Sequence, residues 1–167
     1  YVALLDHDDL LEEHALFEIV KWLQNHPETD MVYTDEDKVT FDSKTYFKPH
    51  FKPDFNRELL RSNNYICHLL TVKKGLLMEA GLYKEEFDGA QDYDLILRCS
   101  EKAKQIGHIP QVLYHWRSHT ASTAANPGSK SYAYEAGRKA VEAHLKRMGE
   151  DAVVEPMDNP GFYRVNY

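Results

Sequence analysis

The chain has 167 residues and a formal net charge of -7, with 43% hydrophobic and 28% charged residues. This length suffices for one domain with its own core, and the composition is typical of a globular protein. The acidic balance disfavours a nucleic-acid partner, because phosphate backbones are bound by clustered basic surfaces. The negative net charge is still compatible with a nucleotide ligand, since a metal ion can supply local positive charge.

The apolar segments alternate along the chain between strand and helix patterns. Strands are predicted over residues 1–5, 31–33, 65–72, 109–116, 152–155 and 162–167. Helices are predicted between residues 9 and 27 and over 54–62, 73–80, 92–104 and 131–148, with loops over 42–53 and 118–129. This alternation predicts an α/β fold. Because the chain starts directly on an apolar segment, we expect a buried first strand and further strands upstream in a longer protein.

Cysteine usage and hydropathy indicate a cytoplasmic location. Cys67 and Cys99 form neither a CxxC pair nor a Cys/His metal spacing, so we expect two reduced, buried thiols. No apolar run approaches the roughly 20 residues that a membrane span needs. We therefore expect membrane association, at the inner face of the membrane, only through other parts of a longer protein.

An acidic segment, Asp6-His7-Asp8-Asp9, follows the first predicted strand. Ligands of α/β sheets bind in the crevice at the carboxyl ends of strands. Residues i and i+2 of an extended segment point the same way, so Asp6 and Asp8 can face one site. Two carboxylates suit Mg²⁺ or Mn²⁺, which could bridge to a diphosphate.

Helix capping is the alternative for this segment, because aspartate is a frequent N-cap residue. Asp8 or Asp9 would then cap the following helix. An EF-hand loop is excluded, because the turn glycine and the closing glutamate are both missing. The predicted apolar face of the helix consists of Leu11, Ala15, Leu16, Ile19, Val20 and Leu23.

Two further acidic positions come later in the chain. Asp35 follows the second predicted strand, where a solvated loop is the alternative. Asp92, next to Gln91, stands where a loop enters a helix, and a helix N-terminus stabilises a carboxylate there. Helix capping is again the alternative for Asp92.

The segment His115-Trp116-Arg117-Ser118-His119 precedes a loop of small residues. A histidine beside two aspartates could complete a metal site, and Arg117 could bind a phosphate bidentately. The alternative is a strand edge whose histidine and tryptophan pack and whose arginine is exposed to solvent.

These segments, in this order, resemble family 2 glycosyltransferases, with the stretch from Val2 to Asp9 matching the DXD segment of that family. The resemblance implies a GT-A-type, Rossmann-like mixed sheet flanked by helices, with the N-terminal nucleotide-binding strands missing from this chain. It also implies that Asp6 contacts a nucleotide-sugar donor and that Asp8 holds Mn²⁺ or Mg²⁺, with Asp9 as a second candidate.

The other motifs acquire roles by the same resemblance. Asp92 matches the general base of the family's Glu-Asp motif, in which Gln91 replaces the glutamate and would act by hydrogen bonding. The segment that closes over the donor is matched by residues 114–122, which implies that Arg117 contacts the diphosphate. His119 would join the metal, with His115 as the alternative. Asp35 becomes a site-lining candidate, because Tyr46-Phe47-Lys48-Pro49 follows it as in the family.

The resemblance covers residues 1–125, interpreted as the acceptor- and metal-binding part of the domain. Residues 126–167 are predicted to be the tail of the same domain or a linker to a following one. The implied function is metal-dependent, inverting sugar transfer from a nucleotide-diphosphate donor to a glycan acceptor in cell-surface polysaccharide synthesis, and we expect this chain alone to be inactive. A non-catalytic glycan-binding domain and a metal-dependent phosphohydrolase are the alternatives.

Overall fold

The computed structural model of the chain describes residues 1–118 and 131–167. Its strands are β1 (Val2–Leu4), β2 (Leu10–Leu11), β3 (Met31–Thr40), β4 (Tyr46–His50), β5 (Leu70–Val72), β6 (Ile106–Ser118), β7 (Val153–Pro156) and β8 (Tyr163–Asn166). Its helices are α1 (Ala15–Asn25), α2 (Arg57–Ser62), α3 (Lys74–Ala80), α4 (Gln91–Lys102) and α5 (Ser131–Met148). The predicted α/β class with a mixed sheet is confirmed.

The main sheet has the strand order β1-β5-β3-β6-β2, and β4 extends it by pairing with β3. β3 and β6 are parallel, whereas β5 is antiparallel to both β1 and β3. Leu4 at the end of β1 pairs with Leu70 at the start of β5. The segment that enters β5 therefore lies beside the acidic segment that leaves β1.

Hydrophobic clusters cover both faces of the sheet. Consecutive residues of β3 point to opposite faces, so Met31 and Tyr33 join one cluster while Val32 joins the other. The larger cluster packs α3, α4 and α5 against the sheet. The smaller cluster holds α1 against β3 and β6 through Ala15 and Ile19.

The first helix begins later than predicted. Leu10 and Leu11 pair with β6 as strand β2, so α1 begins only at Ala15 and its N-cap position is His14. Capping of this helix by Asp8 or Asp9 was therefore wrong. The predicted apolar face was wrong in part, because Ala15 and Ile19 are buried whereas the side chains of Leu16 and Val20 are 59% and 52% exposed.

Strand boundaries also differ from the prediction. β3 continues through its acidic residues to Thr40, because the parallel partner β6 extends alongside it to Ser118. Part of the predicted loop 42–53 forms β4, and only the last residues of the predicted strand 65–72 form β5. The first strand is only partly buried, since β1 is an edge strand and Tyr1 is 50% exposed.

The C-terminal elements match their prediction. α5 spans the predicted residues and ends before Gly149, whose φ of +73° favours glycine. β7 and β8 form the predicted antiparallel hairpin. The predicted division at residues 125/126 and the predicted loop beyond Ser118 lie outside the described residues. Among the helices that the structure describes, none is both long and apolar enough to span a membrane.

Candidate active site

A cavity of about 570 Å³ opens beside the end of β1. Its wall combines residues from the acidic segment, from the segment entering β5, from the start of α4, and from α5 and the β7–β8 hairpin. Three carboxylates line it, those of Asp6, Glu36 and Asp92. A concave site with aromatic walls and a few convergent polar groups is typical of a small-molecule or substrate site.

One end of the cavity offers a set of metal ligands. Asp6, Asp9 and His68 each place one ligand atom so that all three lie within 4.8 Å of one another. Carboxylate oxygens together with an imidazole nitrogen suit Mn²⁺. The residues present therefore fit the divalent ion that the resemblance implies, with His68 as a ligand candidate that sequence reasoning missed.

Asp9 fixes the acidic segment to β6. Its carboxylate accepts hydrogen bonds from the hydroxyl of Tyr114 and, at 2.8 Å, from the backbone N–H of Arg117. Burial raises the pKa of Asp9 above its ordinary value. The ring of His68 stacks on Tyr114 at 4.6 Å between centroids and meets Trp116 edge-on at 5.8 Å. Tyr114 thus positions two members of the cluster.

Asp8 and Arg117 lie next to this cluster. Asp8 is half-buried, and its backbone carbonyl accepts a hydrogen bond of 2.5 Å from Nε of Arg117. The guanidinium of Arg117 also donates to the Phe41 carbonyl and to Oγ of Ser43, both at 2.7 Å. Arg117 therefore links the acidic segment after β1 to the loop after β3. His119, the other predicted metal ligand, lies outside the described residues.

The structure does not bring His115 to the cluster. Alternate residues of a strand point to opposite faces, so Tyr114 and Trp116 face His68 whereas His115 does not. The His115 ring is buried, with Nδ1 2.6 Å from a carboxylate oxygen of Asp37 and Nε2 3.2 Å from one of Glu12.

Asp35 lies beneath the cavity and does not line it. Its side chain is buried, and Oδ1 accepts a hydrogen bond of 3.0 Å from the backbone N–H of Lys52. The same oxygen is 2.8 Å from Nε2 of His108. The neighbouring Glu36 faces the cavity instead.

Asp92 stands in the first turn of α4, on the cavity wall. Its Oδ2 accepts a hydrogen bond of 2.9 Å from Nδ2 of Asn64 and is 3.8 Å from Sγ of Cys67. Burial raises the pKa of Asp92, which moves it toward the range useful for a general base. Gln91 also lines the cavity, and its Oε1 accepts a hydrogen bond of 2.9 Å from the N–H of Gly89.

A buried lysine, Lys52, holds the segment from Ile66 to His68. Lys52 donates to the carbonyls of Ile66, at 2.6 Å, and His68, and its Nζ is 3.2 Å from Oε2 of Glu36. The same Glu36 oxygen accepts from the backbone N–H of His68 at 3.2 Å. Burial alone would raise the pKa of Glu36, but a hydrogen bond from His50 and the charge of Lys52 lower it below its ordinary value.

The prediction of two free, buried thiols agrees with the structure in part. Cys67 and Cys99 are both free, with Cys99 buried and Cys67 half-buried. Burial raises the pKa of the Cys67 thiol well above its ordinary value and that of Cys99 to about 11. Both thiols are therefore protonated at neutral pH, and that of Cys67 can donate to Asp92.

The fold is similar to that of two solved structures of S. aureus TarS. Residues 1–349 of S. aureus TarS match at a TM-score of 0.55 and 15% identity, covering 84% of this chain and 39% of that chain. The same fragment in complex with UDP-GlcNAc matches at a TM-score of 0.58 and 15% identity, covering 84% of this chain and 41% of that chain. The predicted GT-A type of fold is confirmed by this similarity.

Sequence comparison finds longer relatives. The chain is 50% identical over 149 residues to the uncharacterized protein y4gI of Sinorhizobium fredii and 41% identical over 169 residues to the O-antigen biosynthesis protein RfbC of Myxococcus xanthus. These matches cover 88% and 100% of this chain but only 16% and 13% of the relatives. A chondroitin synthase of Pasteurella multocida is 28% identical over 126 residues, which cover 74% of this chain and 13% of that protein. No family model matches the sequence.

The fold is of the GT-A type, and Asp6 and Asp92 lie on the wall of one cavity in it. In sequence, the chain is related to RfbC and, more distantly, to the chondroitin synthase, and it spans only 13% of the length of each.

Proposed function

We propose that this chain forms the metal- and acceptor-binding part of an enzyme that transfers a sugar, with inversion, from a nucleotide-diphosphate donor to a glycan hydroxyl in cell-surface polysaccharide synthesis. One observation carries the proposal: a single cavity joins the cluster of Asp6, Asp9 and His68 to the carboxylate of Asp92. The name of RfbC and the complex of TarS with UDP-GlcNAc support the polysaccharide product and the nucleotide-sugar donor.

The metal end of the cavity would hold the donor. Asp6 and His68, with the Asp8–Asp9 segment and His119 as further ligand candidates, would hold Mn²⁺ or Mg²⁺. Such an ion neutralises negative charge on a leaving diphosphate. Asp9 orients this end, because its carboxylate fixes the acidic segment to Tyr114 and Arg117.

Asp92, on the wall of the same cavity, would accept the proton. Its carboxylate accepts the proton of the acceptor hydroxyl while that oxygen attacks the anomeric carbon of the donor sugar. The bond from the anomeric carbon to the diphosphate breaks in the same displacement, which inverts the anomeric centre. Asn64 and Cys67 orient the carboxylate through their contacts with Oδ2.

The direct test uses the full-length protein. It is incubated with Mn²⁺ and a panel of nucleotide sugars, and release of nucleotide diphosphate is measured. We expect release from one donor and its loss after chelation of the metal. A protein that binds glycans but neither binds nucleotide diphosphate nor releases it would instead be the glycan-binding alternative. Hydrolysis of simple phosphate esters without turnover of nucleotide sugars would favour the phosphohydrolase.

Replacing His68 by alanine should weaken Mn²⁺ binding by about 10–100-fold, a loss seen even for residues that only orient a metal ligand. Titration of Mn²⁺ followed by electron paramagnetic resonance measures the affinity. His7→Ala is the matched control, because its side chain lies in the acidic segment but is 98% exposed. Equal affinities for both variants would contradict a role of His68 at the metal. Asp8→Asn in the same titration tests the ligand implied by the resemblance.

Replacing Asn64 by alanine should move the acidic limb of the rate–pH profile to higher pH. Burial raises the pKa of Asp92, and the hydrogen bond from Asn64 opposes that shift by stabilising the ionised carboxylate. A general base must be ionised, so the transfer rate falls as the pH drops through the raised pKa. Without Asn64 this fall begins at a higher pH.

Asn63→Ala, the adjacent residue of the cavity wall, provides the control for this profile. An acidic limb that stays in place after Asn64→Ala would show that Asp92 is not the group whose ionisation limits the rate.

A further inference from the structure

The antiparallel hairpin of β3 and β4 ends in a tip, residues 41–46, that lies outside the cavity wall. Two aromatic side chains of this tip are exposed to solvent, Phe41 at 72% and Tyr46 at 51%. The side chain of Lys44, between them in sequence, is 80% exposed. We propose that this tip is a docking surface for an anionic lipid bilayer. It places within this chain a membrane contact that we expected only in other parts of a longer protein.

The backbone of the tip is held in place although its aromatic side chains are exposed to water. The carboxylate of Asp42 accepts a hydrogen bond of 3.3 Å from the backbone N–H of Lys44. The guanidinium of Arg117 donates to the carbonyl of Phe41 and to Oγ of Ser43, both at 2.7 Å. The exposed ring of Phe41 therefore lies on an ordered turn, so its binding to a partner costs little further ordering of the chain.

The charge around the tip is positive, in contrast to the rest of the chain. Residues 38–51 contain the three lysines Lys38, Lys44 and Lys48 and a single acidic residue, Asp42, whereas the whole chain has a net charge of -7. Burial lowers the pKa of Lys38, and the charge of Lys48 lowers it further, so the two ammonium groups lie near each other. Because like charges repel, an anionic partner would stabilise this arrangement.

An anionic bilayer matches both properties of the tip. Aromatic rings are enriched at the level of lipid headgroups, and nearby lysines are attracted to anionic lipids. A turn of six residues offers less surface than the roughly 1,000 Å² that a specific protein interface buries, whereas a bilayer needs only inserted rings and nearby positive charge. The acidic remainder of the chain is repelled by the same lipids, so the tip would determine which side of the molecule faces the bilayer.

The test measures co-sedimentation of the full-length protein with vesicles. One set of vesicles contains phosphatidylcholine alone, and the other contains equal parts of phosphatidylcholine and phosphatidylglycerol. We expect binding to the anionic vesicles that weakens as the salt concentration rises. Lys44→Gln should weaken this binding about fivefold, which corresponds to about 1 kcal/mol for a basic residue near an anionic surface. Phe41→Ala should weaken it about tenfold, because an inserted ring is lost.

Phe17 and Lys21 provide the matched control. They form an exposed pair of the same chemistry on α1, with Nζ of Lys21 5.8 Å from the centre of the Phe17 ring. Phe17→Ala and Lys21→Gln should bind vesicles like the unaltered protein. Thermal melting establishes that all four variants are folded.

A fluorescence measurement reports on the tip itself, whatever other parts of the protein contact the lipid. The tryptophan fluorescence that Phe41→Trp adds should be quenched by brominated lipids, whereas that added by Phe17→Trp should not. Absence of quenching at position 41, or equal vesicle binding by the tip and control variants, would overturn the docking surface. An unaltered protein that binds neither kind of vesicle would overturn it as well. The docking surface does not rest on the proposed function, because release of nucleotide diphosphate is measured separately without vesicles.

Discussion

Replacing Asp92 by asparagine should lower the rate of sugar transfer by about 10²–10⁴-fold, the contribution typical of a positioned general base. Asparagine keeps the size of the side chain and can still contact Asn64, but it cannot take a proton from the acceptor. Donor binding should persist, because the metal cluster is unchanged. Initial rates and donor affinity of the full-length protein measure the two effects.

The folded state of the Asp92→Asn variant should be no less stable at neutral pH. A carboxyl whose pKa is raised on folding destabilises the folded state as the pH rises through that pKa, and a neutral amide removes this penalty. Asp88→Asn is the control, since Asp88 is an exposed residue of the preceding loop. A folded Asp92→Asn enzyme that retains its full transfer rate would remove the central step of the mechanism.

Replacing Lys52 by methionine should lower the free energy of unfolding by about 3–5 kcal/mol, the range for removing one partner of a buried ion pair. The side chain of Lys52 is fully buried, and its ammonium satisfies the carbonyls of Ile66 and His68 as well as Glu36. Methionine fills a similar volume but leaves these acceptors unpaired. Denaturant unfolding monitored by circular dichroism measures the change.

Lys44→Met is the matched control for this measurement. The side chain of Lys44 is 80% exposed and lies 3.9 Å from Asp42, so its loss should change stability by less than about 1 kcal/mol. The pKa of Glu36 is lowered on folding, so its contribution to stability is present at neutral pH and disappears as the pH falls through that lowered value. The Lys52→Met effect should therefore shrink in acid. A loss equal to that of Lys44→Met at neutral pH would contradict the buried pair.

The elements that the sequence predicted correctly have apolar residues at regular spacing or a residue that marks the end of a helix or strand. α5 ends at a glycine with positive φ, so its C-terminal bound follows from the sequence. Asp6, Gln91 and Asp92 lie on the cavity wall because each follows a sheet edge or begins a helix. Such positions depend on residues that are close in the chain, so they can be recognised from the local sequence.

The remaining features depend on contacts between distant segments. β3 continues through Asp35, Glu36 and Asp37 because β6 pairs alongside it. Lys52 and His115, which come from other segments, face these carboxylates. Three consecutive acidic residues, considered alone, indicate a loop, because the local sequence does not contain the residues that pair with them. His68 joins the metal cluster only through the antiparallel pairing of β5 with β1. The local sequence indicates this role of His68 only by its position immediately before an apolar strand.

The segment from Ile66 to His68 couples two parts of the cavity wall. His68 belongs to the cluster with Asp6 and Asp9, and Cys67 contacts Asp92. Lys52 holds the backbone on either side of Cys67, through the carbonyls of Ile66 and His68. A shift of this short segment therefore displaces His68 and the contact of Cys67 with Asp92 together. Under the proposed function, a substitution that moves this backbone would therefore alter metal binding and proton transfer at once.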